Sequence, residues 1–223
     1  MKRLKETVDG EGVEYFVHGE SPRILIHSGT HGDEYESIGI VSGLIKKYLA
    51  ILPDFVFVPK VSPSAVELKT RKNKRGIDLN RSFIDGSNDP EVLANIKIAS
   101  LYDYQTCISF HEDPGVNYFY IYDSGLINSK KLSTLRSEIS KLKVPLLTGY
   151  DDPDDAVLRN KFYKGYKRFP SVQNSDHDGT FWGWALNKGI IKNMLDPEIP
   201  GLAKKEVKTK MINLLFELIL LRN

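Results

Sequence analysis

Short apolar runs along this chain end abruptly in polar, glycine-rich or proline-rich residues, and stretches with helical spacing separate them. "VEYFVHG" (13–19), "RILIHSG" (23–29), "FVFVPKV" (55–61), "CISFH" (107–111), "NYFYIYD" (117–123) and "IIKNML" (190–195) read as strands. The runs that are apolar throughout suit strands covered on both faces, whereas His18 closes a run that reads as an edge strand. Apolar residues recur at helical intervals in "YESIGIVSGLIKKYLA", "PEVLANIKIASLYDY", "SKKLSTLRSEISKLK" and "AKKEVKTKMINLLFELILLR". Such alternation predicts an α/β layer fold in one domain spanning 1–223. Functional groups in open sheets of this kind gather beyond the carboxyl ends of the central strands, and three polar clusters fall at such ends.

Composition narrows the function classes. The chain has 223 residues, 41% of them apolar, enough to bury one sizeable core. Its 31 basic and 29 acidic residues nearly cancel, so neither a nucleic acid nor a membrane is expected as a partner. "MKRLKETVDGEG" lacks a following apolar stretch, and "LLFELILL" (214–221) is short and interrupted by Glu217; a soluble, cytoplasmic chain is expected. Cys107 is the lone cysteine, which excludes an internal disulfide and fits a reducing compartment. It lies in an apolar run, where a thiol packs as a small hydrophobe.

The first polar cluster, "HSGTHGDEYE" (27–36), follows a strand and contains the His31–Glu34 pair. Imidazole nitrogen and carboxylate oxygen are both zinc donors, and a three-residue offset with Gly29 and Gly32 nearby can bring them round one ion. The competing reading is a helix start, for which Asp33 and Glu34 are suitable acids. "CISFHEDP" delivers His111 at another strand end, and a distant histidine commonly completes a three-ligand zinc set; His27 is a weaker alternative ligand. The third cluster, "GIIKNMLDPEIPG" (189–201), holds Asp196 and Glu198 and reads equally as a strand ending in acids or as a surface turn.

"GTHGDE", "RGIDLNRSF" (75–83) and a later strand ending in histidine, in this order, resemble the zinc metallocarboxypeptidases and their relatives, the succinylglutamate desuccinylases and aspartoacylases. The likeness runs from about Ile24 to Pro200. It implies a three-layer α/β/α domain with a mixed, largely buried sheet, and one zinc ion held by His31, Glu34 and His111. It further implies that Asn80 and Arg81 grip a substrate carboxylate and that Arg71, with Arg75 as rival, polarises the scissile carbonyl. Glu198, in a Glu-x-Pro ending, matches the general base, with Asp196 as rival. A guanidinium fork does pair two-pronged with a carboxylate, and a fixed positive charge does stabilise an oxyanion. The implied activity is hydrolysis of an amide bond beside a free carboxylate by a carboxypeptidase acting on peptides. The alternatives are an N-acyl amino acid deacylase and, less favoured, an inactive metal-binding module.

The chain departs from the family pattern ahead of His111, where "ISF" replaces an acidic residue and a leucine; Glu112 is expected to support that histidine instead. The chain is also short, which predicts trimmed loops and no separate C-terminal β-domain. The tyrosines of "NYFYIYD" alternate as core residues would, and Trp182 and Trp184 of "GTFWGWALNKG" are expected in the core rather than in a pocket wall. "GYDDPDDAV" (149–157) reads as a solvated turn rather than a calcium loop, and His177 of "NSDHDG" as a loop residue.

Overall fold

The structure is a computed structural model that describes residues 1–152, 160–169 and 179–221. Its strands are β1 (Lys2–Val8), β2 (Glu11–His18), β3 (Ile24–Ser28), β4 (Phe55–Val58), β5 (Tyr104–Asp113), β6 (Tyr120–Asp123), β7 (Gly149–Tyr150), β8 (Lys161–Phe162), β9 (Tyr166–Arg168) and β10 (Ile191–Pro200). The helices are α1 (Tyr35–Tyr48), α2 (Pro63–Leu68), α3 (Pro90–Ala99), α4 (Ser129–Lys141), α5 (Phe181–Asn187) and α6 (Lys205–Leu215). Among the described residues, eight strands form one mixed sheet in the order β1-β2-β4-β3-β5-β10-β6-β9, and β7 and β8 pair separately. The four central strands, β4, β3, β5 and β10, run parallel.

Two-sided burial follows from the pleat. In β3, Leu25 packs into one apolar cluster and Ile26 into the other; in β5, Cys107 and Ile108 divide in the same way. One face is covered by α1, α4 and α6, through Ile40, Leu44, Ile139, Met211 and Ile212, and by Phe216 just beyond α6. The other is covered by α3 and α5, through Val92, Ile98, Phe181 and Trp184. The arrangement is the three-layer α/β/α sandwich with a mixed sheet that the resemblance implied.

Several elements differ from the sequence reading. "KRLKETV", to which the sequence reading assigned no strand, forms β1 and pairs along the whole of β2, so β2 and His18 lie inside the sheet. Only half of each β1 side chain set is shielded, and without the neighbouring strand its polar alternation carries no burial signal. The helix expected over 90–104 stops at Ala99, and Tyr104 already belongs to β5. "LDPEIP" continues β10 instead of turning away, because β5 and β6 flank it on both sides and take up its backbone groups. His177 and most of "GYDDPDDAV" lie outside the described residues.

Phe110 is fully buried on β5, and its ring stacks on Phe216 with centroids 5.7 Å apart, tying the sheet to the C-terminal helical segment. Phe110→Ala should lower unfolding free energy by about 3–5 kcal/mol in urea denaturation, whereas Ile51→Ala, at a position 62% exposed, should stay within about 0.5 kcal/mol.

Candidate active site

Three parallel strands end at one cavity of about 490 Å³. After β3, Gly29 adopts φ +62° and Gly32 packs so closely on α2 that a Cβ there would lie 1.7 Å from the Ala65 carbonyl oxygen. The Gly32 N–H also donates to the Thr70 carbonyl. This tight passage turns His31 and Glu34 inward, where both are buried. On β5, His111 stands opposite Glu198 of β10 in the parallel register. Ligand atoms of His31, Glu34 and His111 all lie within 4.8 Å of one another.

The buried Glu34 carboxylate sits at the centre. Its Oε1 faces His31 Nδ1, and its Oε2 lies 2.9 Å from His111 Nδ1 while accepting the Glu112 N–H. Glu34 makes no side-chain cap to α1, so the helix-start reading of "GDE" does not account for it. Behind His31, Nε2 lies 3.1 Å from Asp78 Oδ1; Asp78 Oδ2 in turn accepts from Arg71 Nε at 2.9 Å. Behind His111, Nε2 meets the Ser109 hydroxyl at 3.1 Å and Asp196 Oδ1 at 3.8 Å. The Glu112 side chain makes no hydrogen bond to this histidine: adjacent residues on a strand face opposite ways, and it turns toward the α1 and α6 layer.

The electrostatics suit a cation. Burial alone would push the His111 pKa down, but Asp196 and Glu34 outweigh it and raise it to about 10. His31 is likewise raised against burial by Glu34 and Asp78. Burial pushes up Asp196, to about 6, and Glu198, whose neighbours Asp196 and Glu34 add to the shift. A buried site that retains protons this strongly has surplus negative charge, and the Asp196 Oδ1 atom is buried without a hydrogen-bond partner. Two imidazoles and a carboxylate, backed by further carboxylates and a hydroxyl, fit a metal ion such as zinc.

Arg71, Asn80, Arg81, Asp196 and Glu198 all line the same cavity. Asp78 accepts the Asn80 N–H and so shapes the short helical turn Leu79–Arg81; Asn80 Oδ1 accepts the Phe181 N–H. Gly179, at φ +77°, lies against the backbone of Arg81, where a Cβ would fall 2.2 Å from its carbonyl oxygen. Arg75 is held elsewhere, on Glu11, outside the cavity lining. His27 is buried against Phe181 and does not join the cluster; burial, with His111 nearby, lowers its pKa to about 3.

The aromatic residues expected in the core do pack there, but three of them also reach the cavity. Tyr120 and Tyr122 line the cavity, with hydroxyls donating to Asp113 and Asp151, because antiparallel β6 sets them beside Glu198 and Asp196. Trp184 packs with Phe83 and Phe181 in the core, but Trp182 forms part of the cavity wall. Alternation alone could not tell these faces apart, since both are covered.

Residues 20–103 match the family model of the succinylglutamate desuccinylase/aspartoacylase catalytic domain. Solved structures share the fold over nearly the whole chain. A candidate metallopeptidase from Shewanella denitrificans superposes with a TM-score of 0.70 at 18% identity, covering 97% of this chain and 82% of that one. Murein-tripeptide amidase MpaA from Escherichia coli O157 gives 0.64 at 18%, covering 100% and 92%. A metallo-carboxypeptidase from Burkholderia cenocepacia gives 0.63 at 16%, covering 98% and 64%. No curated protein matches the chain by sequence. The family match covers residues 20–103, and the solved structures share the fold of the chain. No helix among the described residues is long and apolar enough to cross a membrane.

Because a proton on His111 competes with an ion at the same nitrogen, zinc affinity should rise with pH between about 6 and 8 and binding should release protons. Calorimetric titration in buffers of different ionisation enthalpy measures both; an affinity flat across this range would contradict the site.

Proposed function

We propose that the chain is a zinc-dependent hydrolase that cleaves an amide bond next to a free carboxylate, acting as a carboxypeptidase on peptides. The observation that carries this reading is the convergence of a buried His31–Glu34–His111 group with Glu198, Arg71, Asn80 and Arg81 on one cavity. One zinc ion at that group would supply Lewis acidity toward a carbonyl oxygen and bring the pKa of water to about 7. Arg81, beside Asn80, pairs with the substrate carboxylate and fixes the scissile bond in the cavity. Arg71, steadied by Asp78, offsets the negative charge that develops on the carbonyl oxygen. Glu198 removes a proton from water as oxygen attacks the carbonyl carbon, then delivers that proton to the departing amine nitrogen as the C–N bond breaks.

Glu198 is favoured over Asp196 as the base. Asp196 is almost fully buried beside His111 Nε2, a place suited to holding the imidazole, while Glu198 lies two residues nearer the strand end and is partly exposed in the cavity. A second reading, hydrolysis of an N-acyl amino acid, draws support from the family model that matches residues 20–103, and it uses the same groups.

Matched peptides with free and amidated C-termini test the central claim. Amidation should cost most of kcat/KM, about 2–5 kcal/mol, because the Arg81 charge is left unpaired, and Arg81→Ala should abolish the distinction. Equal rates on both substrates would contradict the reading; a preference for N-succinyl or N-acetyl amino acids over peptides would favour the deacylase.

Glu198→Gln should lower kcat by roughly 10²- to 10⁴-fold at unchanged metal content. Asp196→Asn should act chiefly on metal affinity through His111, leaving kcat of the zinc-loaded enzyme close to wild type. Full activity in the Glu198 variant with loss in the Asp196 variant would reverse the assignment.

A further inference from the structure

Lys208 of α6 is an unusual residue for its setting: 3% of it is exposed, and it lies outside the groups that the proposed reaction uses. Its Nζ donates to Glu112 Oε2 and to Glu36 Oε2, each at 2.6 Å. An unpaired ammonium would be costly at this depth, and burial does act to lower its pKa, but hydrogen bonds to Glu112 and Glu36 more than reverse that. The charge is therefore retained. The partners come from two other elements. Glu112 follows His111 directly near the end of β5, and Glu36 lies in the first turn of α1, two residues beyond Glu34.

Glu112 does more than balance charge. Its Oε1 accepts the N–H of Ser37 at 2.7 Å, capping the first turn of α1 from a neighbouring strand, while its own N–H donates to Glu34 Oε2. One residue thus fixes the helix start on one side and the ligand carboxylate on the other. We propose that Lys208, Glu112 and Glu36 form a buried clamp that positions Glu34 and His111 for metal binding, with Lys208 and Glu112 as positioning residues. The proposal rests on the metal-site reading above.

The physical argument is one of placement. Without Lys208, Glu112 would be a second buried carboxylate close to Glu34 with no cation to balance it. Its side chain would lose the donor that holds it in place, loosening its grip on the Ser37 N–H and on the β5 end that carries His111. Groups of this kind behind metal ligands typically change metal affinity by about 10- to 100-fold when removed.

Zinc alone, titrated into the full chain against a competing chelator, tests the clamp. Lys208→Met should weaken zinc binding by about 10- to 100-fold, and Glu112→Gln, which keeps an acceptor for Ser37, by about tenfold or more. Adding Lys208→Met to Glu112→Gln should cost less than the two changes measured separately, because there is no longer a buried charge at 112 to strand. The thermal midpoint of the metal-free protein is measured beside each affinity. A lowered midpoint with wild-type affinity in both single variants would show a structural cluster only and overturn the proposal. Should Lys208→Met not fold, unchanged affinity in Glu112→Gln alone overturns it. Failure of the wild-type chain to bind zinc would instead count against the metal site itself.

Discussion

A carboxylate buried between two imidazoles organises this protein. Glu34 is out of contact with bulk water and in contact with His31 Nδ1, His111 Nδ1 and the Glu112 N–H. An anion so placed is tolerable only when every neighbour is held in position, since removing one partner leaves uncompensated charge in a poorly solvated interior. Much of the surrounding architecture follows from that demand. Gly32 must let the chain graze α2, β3 and β5 must end at the same level, and α1 must begin directly behind Glu34.

Parallel strands meet the demand economically. With β3, β5 and β10 side by side and pointing the same way, side chains at alternate positions near their ends share one face. Ser109 and His111 on β5 therefore meet Asp196 and Glu198 on β10. The switch to antiparallel pairing at β6 then brings Tyr120 and Tyr122 to the cavity's far wall. Depth along β10 separates two similar acids. Asp196 lies buried beside the imidazole, while Glu198 is more open to the cavity, its carboxyl pushed well above its usual range by burial and neighbouring carboxylates.

The charges form chains. Arg71 holds Asp78, Asp78 holds His31, and His31 faces Glu34. From Glu34 the links continue through the Glu112 N–H to the Glu112 side chain and Lys208 on the last helix. Each link alternates donor and acceptor along this path through a cluster rich in carboxylates. The net charge of the whole molecule is near neutral and says nothing about this local surplus.

Apolar runs and residue spacing in the sequence sufficed for the strand-and-helix alternation of an α/β sheet, because strands covered on both faces must be apolar at successive positions. The order of "GTHGDE", "RGIDLNRSF" and "CISFH" likewise named His31, Glu34, His111 and the Asn80–Arg81 pair, which the fold brings to one cavity. Four matters depended on tertiary contacts: the pairing of β1 with β2, the extension of β10 through "DPEIP", the cavity positions of Tyr120, Tyr122 and Trp182, and the exclusion of Arg75. A polar strand is stabilised by a neighbour's backbone, and a side chain in a two-sided sheet can face core or cavity with the same local pattern. The partnership of Glu112 with Lys208 spans 96 residues, and no periodicity connects positions so far apart. Only the folded packing of α6 on the end of β5 brings that ammonium to that carboxylate.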